Sequence, residues 1–142
     1  MTEKKPNILI IDDDPNILNL VRFYLEKDKY TITGAHNGKQ AISLLAKQEF
    51  DLILVDMLMP QMDGMTFIKE IREELHLNYP VIMVTAQEPT EKMMQIIFDY
   101  AYDIIQKPFT SIRLRLTVHN ALKYKNLSDA HSKLQGKTGN EN

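Results

Sequence analysis

Cysteine is absent from this chain, which excludes disulfides, thiol catalysis and thiolate metal sites. Long apolar runs are missing too. Behind the basic start Met1-Thr2-Glu3-Lys4-Lys5-Pro6, only Ile8 to Ile11 is apolar. That is too short for the core of a signal peptide, and no later stretch is long enough to cross a bilayer as a helix. A cytoplasmic location is the default expectation. Neither sign of charge dominates: 17 Lys+Arg against 19 Asp+Glu leave a net charge of -2, so no strong attraction to nucleic acid or an anionic membrane is encoded. Internal repeats and low-complexity tracts are lacking as well. What remains is an ordinary soluble composition, 44% hydrophobic and 25% charged over 142 residues, enough for one domain with its own core.

The chain is organised around Asp51 to Gly64. Its apolar run Leu52 to Val55 stops at Asp56, and Pro60 and Asp63-Gly64 follow as breaker and turn signals. A short, branched, sharply bounded run reads as a buried parallel strand. The same unit recurs. Strands are expected at Asn7 to Ile11, Tyr30 to Thr33 (closed by Gly34), Asp51 to Asp56, Val81 to Val84 and Tyr102 to Ile105. Helical spacing follows each one. The first helix carries Ile17, Leu18, Val21 and Leu25, with Pro15 in its first turn and Asp14 as cap. The second carries Ala41, Ile42, Leu44 and Leu45 after Asn37-Gly38. The third is expected over Met65 to Leu75, the fourth over Pro89 to Tyr100, and the fifth from a cap at Thr110 through Leu122.

Strand–helix alternation five times over implies an α/β fold, a doubly wound parallel sheet covered by helices on both faces. Right-handed crossovers put every strand's C-terminal end on one edge, where such sheets place ligands. Beyond Tyr124 the pattern thins. Tyr124, Leu127, His131 and Leu134 keep a heptad-like spacing, which reads as a surface extension of the last helix. Gly136 to Asn142 is polar and expected to be disordered. The folded domain is therefore placed at residues 1–124 and the extension with its tail at 125–142. Gly136-Lys137-Thr138 hints at a phosphate loop, but His131 occupies the required first glycine position and no strand precedes it.

Four apolar runs end in a polar residue with a distinct chemical use: Asp12 and Asp13, Asp56, Thr85, and Lys107. Three carboxylates at one edge repel and raise one another's pKa. A divalent cation relieves the conflict, and hard oxygen donors without Cys or His spacing suit Mg2+ or Mn2+ rather than zinc. Such an ion fits the edge for phosphoryl transfer. Asp56 can be a carboxylate nucleophile that carries an acyl phosphate. Lys107 can pair with one phosphoryl oxygen and the Thr85 hydroxyl can donate to another.

A lone strand-end Asp is more often a helix cap than a nucleophile; the three companions of Asp56 favour function. Asp14 reads as a cap and Asp63 as a turn residue. His36, His76, His119 and His131 have no ligand spacing, and Met57, Met59, Met62 and Met65 read as packing.

Ile8-Leu9-Ile10-Ile11-Asp12-Asp13-Asp14-Pro15, Asp56-Met57-Leu58-Met59-Pro60 with Asp63-Gly64, Thr85-Ala86 and Lys107-Pro108-Phe109 together resemble a response-regulator receiver domain over about residues 6–124. The resemblance implies a flavodoxin-like five-stranded sheet in order 2-1-3-4-5, flanked by five helices. It implies phosphoryl transfer to Asp56 from the phosphohistidine of a sensor histidine kinase or a histidine phosphotransfer protein. Asp13 would ligate Mg2+ directly and Asp12 through water, with Asp56 and the Leu58 backbone carbonyl completing the protein ligands. It further implies a cis peptide at Lys107-Pro108, catalysis of no reaction beyond the domain's own phosphorylation and dephosphorylation, no direct nucleic-acid binding in this segment, and a possible homodimer through the fourth helix, fifth strand and fifth helix.

Two departures stand out. Ile104 occupies the position of the family's usual aromatic, and Tyr100-Ala101-Tyr102 replaces the usual Gly-Ala-Asp. Tyr100 or Tyr102 is therefore expected in an altered signalling face.

Two other functions fit parts of the pattern. Asp12-Asp13-Asp14 fits the start of a haloacid-dehalogenase-type phosphatase, with Asp12 as nucleophile and Asp14 as acid/base. That reading leaves Asp56 and its following loop unexplained, and Pro15-Asn16 replaces its usual continuation. A docking module that is never phosphorylated is the third.

Overall fold

The computed structural model describes residues 4–140, with side chains to residue 130. Five strands alternate with five helices: β1 Asn7–Ile11, α1 Pro15–Glu26, β2 Thr31–Ala35, α2 Gly38–Lys47, β3 Leu52–Asp56, α3 Gly64–Lys69, β4 Val81–Thr85, α4 Glu91–Tyr100, β5 Asp103–Gln106 and α5 Ser111–Asn140. The strands form one sheet, parallel as the alternation implies and in the order β2-β1-β3-β4-β5 that the resemblance implies.

Strand periodicity divides the core into two layers. Ile8, Ile10, Leu52, Leu54 and Ile82 face one side and pack with Leu18, Val21 and Leu25 of α1 and Leu114 and Val118 of α5. Leu9, Ile11, Ile53, Val55 and Met83 face the other side and pack with Ala41 and Leu45 of α2, Phe67 and Ile68 of α3, and Met93 and Ile97 of α4. A strand buried on both faces must be apolar at every position, which is why β1, β3 and β4 appear in the sequence as uninterrupted runs.

Each helix start is fixed by a side chain that accepts from an otherwise unpaired N–H. Asp14 accepts from Asn16, Asn37 from Gln40, Asp63 from Thr66, Thr90 from Met93 and Thr110 from Arg113. Asp14 and Thr110 are the caps the sequence indicates; Asp63 caps α3 rather than merely closing a turn.

The structure departs from the sequence reading in four places. Gly34 does not close β2 but lies inside it, opposite Ile10. It has no positive φ, so its smallness is used within an edge strand and not for a turn. The third helix is α-helical only to Lys69. Residues Glu70–Glu74 form a π turn in which the Leu75 N–H reaches back five residues to the Glu70 carbonyl. The wider turn rotates Leu75 off the packed stripe, leaving it 40% exposed. α4 begins at Glu91 instead of Pro89, because the cap is Thr90. Finally, α5 runs to Asn140 where a polar tail is expected from Gly136. No proline follows Pro108, and the two glycines, Gly136 and Gly139, cost a helix only about 1 kcal/mol each relative to alanine. The last two residues of that tail, and the heptad side chains at 131 and 134, lie outside what is described.

Candidate functional site

The β1 and β3 runs are adjacent in the sheet, so Asp12, just past the end of β1, and Asp56, the last residue of β3, arrive side by side. β4 pairs with β3 so that Val84 stands opposite Asp56, which puts Thr85 one residue beyond. The Lys107 N–H donates to the Thr85 carbonyl at 2.7 Å, carrying the β4–β5 ladder one step past β5. Five strand-end residues from four strands thus share one edge.

Asp12, Asp13 and Asp56 each offer a carboxylate oxygen within 4.8 Å of the others. Asp12 and Asp56 are buried and Asp13 is exposed. The Lys107 ammonium lies 3.0 Å from Asp12 Oδ2 and 3.4 Å from Asp56 Oδ2. Asp56 therefore faces this cluster, within direct reach of the lysine. Asp12 also takes the Asp14 N–H on Oδ1 at 2.9 Å, so both of its oxygens have partners. Asp56 Oδ1 accepts from the Leu58 N–H at 3.2 Å. The Lys107-Pro108 peptide is cis.

Electrostatics follow from this crowding. Burial, followed by the charge of Asp12, pushes the Asp56 carboxyl above its ordinary range; the Leu58 N–H and Lys107 offset only part of the rise. Burial alone would lower Lys107, but Asp12 and then Asp56 outweigh it and hold the ammonium above its ordinary pKa. The pocket thus gathers more negative than positive charge in oxygen-only ligands. That donor set fits a hard divalent cation, whose charge would offset the repulsion that Asp12 adds to the burial of Asp56.

Thr85 is on the same edge but its hydroxyl is turned elsewhere. Oγ1 accepts from the Gln87 N–H at 3.1 Å and donates to the Gln87 carbonyl at 3.3 Å. Sequence reasoning places Thr85 correctly and misses Gln87, whose contribution comes entirely from its backbone and so leaves no mark on residue type. It also misses the role of Gly64. A Cβ there would meet the Asp56 carbonyl oxygen at 2.7 Å and the Met57 Cα at 3.0 Å. The glycine lets the start of α3 close onto the end of β3, a reason that a turn reading does not supply. His36, His76 and His119 are exposed and outside the cluster, as their spacing suggests.

Comparison with known proteins agrees with this geometry. The family model described as response regulator receiver domain matches residues 8–119. The transcriptional regulatory protein ResD of Bacillus subtilis is 37% identical over 116 residues, covering 82% of this chain and 48% of ResD. A segment of the sensor histidine kinase TmoS of Ectopseudomonas mendocina is 32% identical over 127 residues, 89% of this chain and 13% of TmoS. Among solved structures, the chemotaxis protein CheY4 of Vibrio cholerae superposes with a TM-score of 0.76 at 27% identity, covering 83% of this chain and 99% of that one. The chain spans about half the length of the first regulatory relatives it matches. No helix among the described residues is long and apolar enough to cross a membrane.

Proposed function

Because this chain belongs to the response regulator receiver domain family, we propose that Asp56 is its phosphoacceptor, assisted by Lys107 and Thr85, with Mg2+ held by Asp13, Asp56, the Leu58 backbone carbonyl and, through water, Asp12. As a two-component receiver domain it takes its phosphoryl group from the phosphohistidine of a sensor histidine kinase or of a histidine phosphotransfer protein. An Asp56 carboxylate oxygen attacks phosphorus in line, a new O–P bond forms, and the P–N bond breaks. Its electron pair returns to the imidazole, which leaves without needing an external oxidant or reductant. The product is an acyl phosphate.

The observation that carries this reading is the placement of Asp56 between Lys107 at 3.4 Å and Asp12 and Asp13. Asp12 supports a water-mediated metal role, since its own oxygens are engaged by Lys107 and the Asp14 N–H. When bound, Mg2+ would supply the positive charge that this cluster lacks and offset that of the incoming phosphoryl group. Lys107 is fixed by two carboxylates before reaction, so its ammonium can stabilise a phosphoryl oxygen without first being ordered. Thr85 must redirect its hydroxyl from the Gln87 carbonyl to the phosphoryl group. That change biases a two-state equilibrium at the start of the β4–α4 loop.

Within this reading the domain catalyses only its own phosphorylation and dephosphorylation, does not itself bind nucleic acid, and self-associates through α4, β5 and α5. Tyr102, whose ring lies 5.3 Å from that of Tyr124, belongs to that face. We place the domain at residues 1–124 and treat 125–142 as its extension. A phosphatase reading with Asp12 as nucleophile would leave Asp56, buried at the end of β3 beside Lys107, without a role. Incubation with acetyl phosphate and Mg2+, followed by mapping of the modified carboxylate, tests the proposal. Modification of Asp56, lost in Asp56→Asn, is expected; modification of Asp12, or none, would overturn it.

A further inference from the structure

The two ends of α4 are held by different means. Its ten residues bury only Met93 and Ile97, whereas the equally long α2 buries three positions. At the N-terminal end the helix hangs from Ala86, Gln87 and Glu88, all exposed, and from the Thr90 cap. That end adjoins Thr85, whose hydroxyl has to turn during phosphorylation.

At the C-terminal end, where Ile97, Tyr100 and Ala101 pack on the core, one side chain also ties down the backbone. The Arg72 guanidinium donates from Nε and Nη2 to the Tyr100 carbonyl at 3.3 and 2.9 Å. Its Nη1 donates to the Leu77 carbonyl at 2.6 Å, and Nη2 also to the Tyr79 carbonyl at 2.6 Å. Leu77 and Tyr79 lie on the segment that leads into β4, so one cation joins the last residue of α4 to the approach of a central strand. Helix-terminal carbonyls lack partners within their own helix, and a cation there also meets the negative end of the helix dipole. Burial lowers the Arg72 pKa from its ordinary value, yet a guanidinium keeps its charge in a protein.

Two further observations single out this contact. Arg72 issues from the π turn, the one stretch where the third helix abandons α geometry, and such turns gather at functional positions. Beside it opens a cleft of about 810 Å³ lined by Arg72, Tyr79, Phe98, Tyr100, Tyr102 and Tyr124. α4 therefore borders open space at this end, and Arg72 adds a polar tie to the packing of Ile97, Tyr100 and Ala101.

We infer that Arg72 is a positioning residue that pins the C-terminal end of α4, so that a rearrangement begun at Thr85 turns the helix about Tyr100 instead of displacing it bodily. The trigger rests on the phosphoacceptor reading above; the pin does not.

Amide hydrogen exchange on the full chain, wild type and Arg72→Met, tests this, with intact mass recorded on the same samples. Without phosphodonor, exchange at Ile97 to Ala101 is expected to rise about tenfold in Arg72→Met, the scale of losing buried hydrogen bonds. The β3 amides Ile53 to Asp56 keep wild-type rates, and Arg72→Lys, with fewer fixed donors, falls between. With acetyl phosphate and Mg2+, wild type changes at Ala86 to Met94 only, and Arg72→Met changes through Ala101. Unaltered exchange at Ile97 to Ala101 in Arg72→Met overturns the inference, as does a uniform rise that includes β3. Equal phosphorylation-linked changes at both ends of wild-type α4 also overturn it. If intact mass shows no phosphoryl gain, the phosphoacceptor reading fails and takes the turning motion with it, while the resting comparison still decides whether Arg72 pins the helix.

Discussion

Replacing Gly64 with alanine tests whether the site is built by the close approach of α3 to β3. Gly64 is helical and has no positive φ, so on backbone grounds alone alanine should help. It would gain about 1 kcal/mol of helix propensity. Against this, the new Cβ meets the Asp56 carbonyl oxygen at 2.7 Å, the Met57 Cα at 3.0 Å and the Asp56 carbonyl carbon at 3.2 Å. All three are backbone atoms of the strand that carries the phosphoacceptor, so no flexible side chain can yield. Relief requires α3 and β3 to part by several tenths of an ångström, and such overpacking costs roughly 1–3 kcal/mol. The net expectation is destabilisation by roughly 0–2 kcal/mol once the propensity gain is subtracted.

The functional loss should be larger than the stability loss, because displacement falls on Asp56 itself. A misplacement on the order of 1 Å can slow a reaction about a hundredfold, so a decrease of at least about tenfold in labelling by acetyl phosphate is expected. Urea unfolding and the initial labelling rate, measured on the same preparation, give both numbers. Gly34→Ala is the control, since its Cβ would meet nothing closer than 3.5 Å; it should be neutral or stabilising by up to about 1 kcal/mol. A Gly64→Ala protein that is more stable than wild type and labels at the wild-type rate would refute the steric reasoning.

Other expectations follow from the same geometry. Asp56 has its folded pKa raised, mainly by burial and then by Asp12, so the folded state holds its proton more tightly than the unfolded chain does. Its contribution is then fully present below the unfolded value and lost as pH rises through the folded one. In metal-free buffer Asp56→Asn should remove that decline and gain stability at neutral pH; thermal melts from pH 3 to 7 that run parallel to wild type would contradict this. Lys107→Met leaves Asp12 and Asp56 without their shared cation, and a loss of about 1–3 kcal/mol is expected in urea titrations without metal, diminished by added Mg2+. Gln61 stands at a φ of 72°, costly for a residue with a Cβ, so Gln61→Gly should stabilise by about 0.5–1 kcal/mol. No gain in the unfolding midpoint would show that the loop compensates for the strain.

Much of this molecule could be read from its residues because burial on both faces removes ambiguity. β1, β3 and β4 must be apolar throughout, so the first polar residue marks the strand's end, and topology alone then gathers Asp12, Asp56 and Lys107. Features made by backbone atoms were hidden. Gln87 holds Thr85 through its peptide groups, and Gly64 matters for an atom it lacks. The π turn was hidden for another reason: Ile68, Ile71 and Leu75 keep helical spacing, and only the extra residue in the turn shows that Leu75 leaves the stripe. Gly34 misled because glycine is read as punctuation, whereas in an edge strand it interrupts nothing.

The partners Asp12 and Lys107 are 95 positions apart, one from the opening strand and the other just beyond the closing strand. Chemical competence therefore waits until the chain has been made as far as Lys107. A nascent chain still short of β5 has its acids assembled without their counter-charge, and no shorter intermediate reproduces the finished cluster. Acceptance of a phosphoryl group would accordingly report that the sheet, from first strand to last, has reached its native arrangement.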